Sequence, residues 1–147
     1  MASSCNTTAV AAGLRVTLEP VVDLAALEAD WDALAPLCEH SFFNSWAWIG
    51  CWLACLPAEI QPRVLRAEEN GQLIGLGLLT PRKLRRHGVV RSRVLCLHET
   101  GEPALDALRI EHNGLLLLRG REELLARAIV HFLDEDPAWD ECFLGGI

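Results

Sequence analysis

The sequence predicts an α+β domain: a mixed, mostly antiparallel central sheet with helices on both faces, in the order β-α-α-β-β-β-α-β. Three observations carry this. Segments of period-two alternation are separated by Asn-Gly and His-Gly turns. Two helical segments lie early in the chain, and one amphipathic helix followed by a short apolar strand lies late.

Residues 14–18 alternate Leu-Arg-Val-Thr-Leu, a first strand with one apolar face. Asp23 is placed to cap a helix whose apolar positions, Leu24, Leu27, Trp31 and Leu34, recur at helical spacing, and Pro36 ends it. Residues 41–45 form a turn into a second helix, residues 44–56, capped by Asn44 or Ser45. That helix contains Trp46, Trp48 and Trp52 and no charge. A surface helix keeps a polar face, so this one is expected to be covered all round, by its own core or by a neighbouring unit.

Residues 63–68 and 72–80 flank Asn70-Gly71, a strong local hairpin signal. A second hairpin is expected from residues 81–86 and 89–97 around His87-Gly88. A further strand pair, 107–111 and 115–118, is expected to flank Asn113-Gly114. Residues 121–134 carry Leu124, Leu125, Ala128, Ile129, Phe132 and Leu133 on one helical stripe ahead of Pro137, and residues 139–144 form the last strand.

A length of 147 residues predicts one domain. Residues 1–13, rich in Ala, Ser and Thr without periodicity, read as a flexible tail that lacks the basic start and apolar core of a signal peptide, leaving residues 14–147 as the folded unit. No apolar run approaches the ~20 residues a membrane span needs, which predicts a cytoplasmic protein without a membrane partner. The six cysteines are then expected to be reduced, and five lie in apolar or helical contexts where cysteine packs as a small hydrophobe.

A net charge of −7 argues against nucleic acid. Six of the 13 Lys/Arg residues crowd between Arg82 and Arg93, without the interleaved aromatics that stack bases, and read as the solvated tip of a hairpin.

Two polar concentrations follow apolar strands: His98-Glu99-Thr100-Gly101-Glu102 and Glu111-His112-Asn113-Gly114. Loops at strand ends commonly carry sites. Glu99, Glu111 or His112 is a candidate base and Asn113 a candidate substrate-orienting group; the plainer alternative makes Asn113-Gly114 a turn and the carboxylates solvated. Cys96 and His98 are two apart on a strand, too far for a nucleophile pair, and read as a core cysteine beside a solvent-tipped histidine. Cys38, His40, Cys51 and Cys55 lack a tight second pair, and no metal is expected there.

Trp31-x-x-Leu34, Phe42-Phe43-Asn44-Ser45-Trp46-x-Trp48-x-x-x-Trp52, the Asn70-Gly71 hairpin and Glu111-His112-Asn113-Gly114 together resemble the first half of a GNAT-like acyltransferase. The group is that of acetyltransferases associated with cellulose biosynthesis, related to the Fem-type transferases. The resemblance covers residue 14 to the C-terminus. It implies a GNAT-like sheet, two such units in tandem, and transfer from acetyl-CoA or another acyl-CoA to a small-molecule or peptide acceptor. It further implies a donor site mainly on the second unit, which makes this chain an N-terminal half. Its partner is expected to be that second unit, or a second copy packed over the Trp46/Trp48/Trp52 helix; a non-catalytic interaction module on the same fold is the alternative. GNAT enzymes hold pyrophosphate on a Gln/Arg-x-x-Gly-x-Gly/Ala loop at a helix start. Arg119-Gly120-Arg121-Glu122-Glu123 offers one glycine there and two glutamates where the anion belongs.

Overall fold

The computed structural model describes residues 7–11, 13–107 and 110–145. In chain order the elements are β1 (Thr7–Ala11), β2 (Leu14–Pro20), α1 (Leu24–Leu34), α2 (Trp46–Cys55), β3 (Arg63–Glu69), β4 (Gln72–Arg86), β5 (Val90–Leu97), β6 (Leu116–Leu117), α3 (Glu122–Asp134) and β7 (Glu141–Phe143). One sheet contains all the strands in the order β1-β2-β3-β4-β5-β7, with β6 paired to β4. Every ladder is antiparallel except the last, where β7 returns through α3 to lie parallel to β5, Leu95 opposite Cys142. The α+β class with a mostly antiparallel sheet is what the alternation pattern predicts.

The sheet has an apolar core on each face. Leu14, Val16 and Leu18 of β2, Leu65 and Ala67 of β3, Leu79 of β4, and Leu95 and Leu97 of β5 pack beneath Leu125, Ala128, Ile129 and Phe132 of α3. Their chain neighbours Val64 and Leu78, together with Leu76, face the other way and pack with Leu27, Trp31, Leu34 and Ile49 of α1 and α2. This is the period-two alternation of a strand covered on both sides. Ile74 breaks the alternation because the register slips between Ala67 and Glu68, leaving one extra residue on β4 that turns to the α3 side.

Local signals set the helix ends. The Asp23 carboxylate accepts the Ala26 amide at 3.0 Å and caps α1, and a 3-10 turn over Ala35–Leu37 follows at Pro36. The last turn of α2 stops at Leu56, the residue before Pro57. Glu122 and Glu123 in the first turn of α3 and His131 in its last suit the helix dipole.

Four expectations are corrected. Residues 7–11, assigned to a flexible tail, form β1, with Thr7 opposite Thr17 and Thr8 opposite Val16 on the open edge of β2. Residues 72–80 and 81–86 are one strand: Pro81 pairs with Leu95, and β3 begins opposite Leu79 and reaches no further along β4, so the missing Pro81 N–H falls where β4 has no second neighbour. Asn113-Gly114 joins no hairpin; β6 pairs with Gly75 and Leu76 instead, residues 110 and 111 lie outside any strand, and 108–109 lie outside the described residues. Cys51, Cys55 and Cys142 are exposed, and only Cys38 and Cys96 are buried among the described thiols. Of the two covers expected for the tryptophan helix, the domain's own core does not supply one, which leaves the neighbouring unit as the other. Ile49 is its one buried residue, Trp46, Trp48 and Trp52 are half-buried, and Ala47, Cys51, Ala54 and Cys55 face solvent.

Candidate functional site

Both polar segments come together beyond the carboxyl end of β5. His98 is the first residue after that strand, with a backbone φ of 48° and its amide donating to the Leu78 carbonyl at 3.0 Å. The left-handed turn directs its ring into the α1 side of the sheet, 5.9 Å from Trp31, so the expected solvent-tipped histidine is fully buried. The Asn113 amide nitrogen donates to the Leu97 carbonyl at 2.7 Å. That bond orients the amide, so its oxygen, 3.0 Å from His98 Nδ1, accepts an N–H there. The other ring nitrogen, Nε2, is then a bare lone pair, buried without a partner. Burial holds the imidazole's pKa down at about 4, against a smaller opposing effect of the Asn113 hydrogen bond.

A second asparagine ties the same loop to the start of α2, on the same face of the sheet. Asn44, buried just before α2, donates from its amide to the Gly114 carbonyl at 2.7 Å. Its backbone carbonyl accepts the indole N–H of Trp31, also at 2.7 Å. Ser41 Oγ lies 3.0 Å from the Asn44 side-chain oxygen and 3.1 Å from the His112 carbonyl, and its single proton serves one of them at a time. Asn113 is therefore a positioning group of the fold. The side chains of Glu111 and His112 point to solvent.

Glu99 is held differently. Thr100 donates from its amide and its hydroxyl to Asp106, at 2.9 and 2.8 Å, and the Thr100 hydroxyl accepts the Glu102 amide at 3.0 Å. Arg82 pairs with Glu102 and closes the loop. Gly101, at φ 71°, fits because a side chain there would meet Cys96 Sγ. This frame places the half-buried Glu99 carboxylate against Gly145, so closely that a Cβ on Gly145 would lie 2.5 Å from it. Glu99 thus bridges the carboxyl ends of the one parallel strand pair, β5 and β7. Burial first, and the nearby Asp106 second, raise its pKa above the ordinary carboxylate range.

Of the four residues singled out in sequence, Glu99 and Asn113 flank the end of β5. No hydrogen bond or ion pair joins Glu99 to Glu111, His112 or Asn113 among the described residues. Sequence reasoning read Asn44 only as a helix cap and did not find the burial of His98. The available signals were a lone amide inside an uncharged aromatic stretch and a histidine that directly continues an apolar strand.

The residues of the α3 start do not fit a pyrophosphate. Backbone amides of Glu122 and Gly120 hold the Glu122 carboxylate and lower its pKa, so the helix N-terminus already carries its own anion. Arg121 is paired with Glu69, and Arg119 reaches the Cys38 carbonyl. No group of three His, Cys, Asp or Glu suited to a metal occurs among the described residues, and no described helix is long and apolar enough to cross a membrane.

In comparison with known proteins, no family model matches the chain, and neither a curated protein nor a solved structure matches it.

Proposed function

We propose that this chain is the N-terminal GNAT-like unit of an acyl-CoA-dependent N-acyltransferase, an acetyltransferase of the cytoplasm, which contributes the acceptor side and leaves the donor site to a second GNAT-like unit. The observation that carries this reading is Glu99, set between the ends of the parallel strands β5 and β7 with its proton affinity raised. An amine acceptor reaches a neutral active site largely as ammonium and must lose a proton before it attacks; a carboxylate with raised pKa is matched to that task. The strand order supports it too, since an antiparallel run closed by a helix and a parallel strand suits a GNAT-like sheet. Glu111, His112 and Asn113 would then bound the acceptor loop, with Asn113 holding it in place.

The reading predicts two results. Acetyl-CoA at millimolar concentration leaves the melting temperature of this chain unchanged, because a ligand that binds only the folded state must raise it. The reading frame continues past Ile147 into a second α/β unit with a glycine-rich strand-to-helix junction. A stop codon there, or a clear thermal shift with acetyl-CoA alone, refutes the two-unit arrangement.

One observation favours a second reading, a non-catalytic module that pairs with its own copy. The solvent side of α2 is Ala47, Cys51, Ala54 and Cys55 beside half-buried tryptophans, with no charge from Asn44 to Leu56. Sedimentation equilibrium tests it: a dimer that Cys51→Glu converts to monomer supports the module, and a monomer at every concentration excludes it.

A further inference from the structure

Two strands run past the sheet they belong to. β3 covers β4 only as far as Leu79, and β7 covers β5 only over residues 94–96. From Lys83 opposite Arg93 to Arg86 opposite Val90, β4 and β5 pair with each other alone. His87 and Gly88, at φ 49° and 76°, close the turn between them. At about 3.4 Å per residue, the apex of this ribbon stands roughly 17 Å beyond Pro81. Lys83, Arg85 and residues 87–91 are exposed.

The ribbon gathers positive charge on an acidic molecule. Six of the 13 Lys/Arg residues and none of the 20 Asp/Glu residues lie between Arg82 and Arg93. Arg82 is paired with Glu102 and Arg93 with Asp140, both at the base. Lys83, Arg85 and Arg91 make no ion pair or hydrogen bond among the described residues. Lys83 stands opposite Arg93 and Arg85 opposite Arg91, so like charges face each other across two rows of the ladder. Such pairs oppose strand pairing, and a negatively charged surface turns that repulsion into attraction. At the apex, Val89 is 83% and Val90 59% exposed, two branched apolar side chains outside both cores.

We propose that this ribbon docks tip-first on the anionic surface of a phospholipid bilayer. Val89 and Val90 enter the boundary between headgroups and acyl chains, and Arg85, Arg91 and Lys83 rest among the lipid headgroups. Val90 and Arg91 point to opposite faces of the ribbon, and entry by the tip brings both to the same surface. Apolar burial and attraction to anionic lipid add in such contacts. The net charge of −7 does not cancel them. The acidic partners sit at the base: Glu102 on Arg82, Asp140 on Arg93 and Glu141 on Ser92. Ser92, the nearest of these to the apex, is about 10 Å behind Val89, beyond the ~8 Å screening length of physiological salt. A nucleic acid fits less well, because the ribbon has no Phe, Tyr or Trp to stack on and the valines would have no role. Docking of this kind requires neither an acyl donor nor a second unit.

Co-sedimentation of the full chain with vesicles tests this. Saturable binding is expected to phosphatidylserine and phosphatidylcholine mixed about 3:7, weakening as salt rises, and none to pure phosphatidylcholine. Lys83→Gln, Arg85→Gln and Arg91→Gln are each expected to weaken vesicle binding about fivefold. Val89→Ser combined with Val90→Ser is expected to weaken it about tenfold and to leave binding to heparin unchanged. All five side chains are exposed, so an unchanged melting temperature is the expected control for folding. No binding to the anionic vesicles at low salt, equal binding to pure phosphatidylcholine, or indifference to all three glutamine variants overturns the proposal. Vesicle binding that follows the cations but ignores the double valine change also overturns it, and marks a site for a soluble polyanion such as nucleic acid.

Discussion

His98 and Asn113 form one hydrogen-bonded unit in which the amide dictates the tautomer of the ring. Asn113 donates to the Leu97 carbonyl at 2.7 Å and accepts from His98 Nδ1 at 3.0 Å, leaving Nε2 buried and unprotonated.

A pH dependence follows. The folded-state pKa of His98, about 4, lies below its ordinary 6.5, so between these values the unfolded chain binds a proton that the folded chain refuses. Stability is intact above the ordinary value and falls as pH drops toward the folded one, by up to about 1.4 kcal/mol per pH unit from this group. Urea midpoints measured across that window are expected to show the slope in the native protein, and His98→Gln to remove its histidine share.

Asn113→Ala leaves the Leu97 carbonyl and the His98 N–H buried without partners. A cost of about 2 kcal/mol or more is expected, read as a lower urea midpoint at unchanged m-value. A loss below about 0.5 kcal/mol would mean that water replaces the amide.

Glu99 gives the opposite sign. Its folded-state pKa is raised above the ordinary 4.5. Its contribution is therefore present below that value and lost as pH rises through the folded one. Glu99→Gln is expected to be more stable than the native protein at neutral pH and equal to it in acid. Paired thermal melts at the two ends of the range check this, and a less stable variant at neutral pH contradicts the half-buried carboxylate.

Ile49 is the single buried residue of α2. Ile49→Ala is expected to cost about 2–4 kcal/mol and to speed amide exchange over residues 46–55. Cys51→Ala, on the exposed side, is expected to stay within about 0.5 kcal/mol.

The elements legible in the sequence were those with strong local signals. Asp23, Leu27, Trp31 and Leu34 specify α1 through a cap and a helical stripe, and Asn70-Gly71 specifies the β3–β4 hairpin, with Asn70 at φ 51° and Gly71 at φ 82°. Asn113-Gly114 carries the same dipeptide and makes no hairpin, because the buried Asn113 side chain is recruited by Leu97 and His98 instead. Glu99 was legible as a carboxylate after an apolar strand. Its contact with Gly145 was not, since the two are far apart in sequence and meet only through the parallel register of β5 and β7.

The sequence by itself determined which residues alternate, which helices are amphipathic and where turns interrupt them, because these depend on side-chain periodicity and backbone preferences within a few residues. Only the tertiary structure decided that β7 lies parallel to β5, that His98 is sealed from water while Glu99 is half-exposed beside it, and that α2 keeps an uncovered face. Those outcomes depend on desolvation and register between distant segments, and no local window of residues contains either.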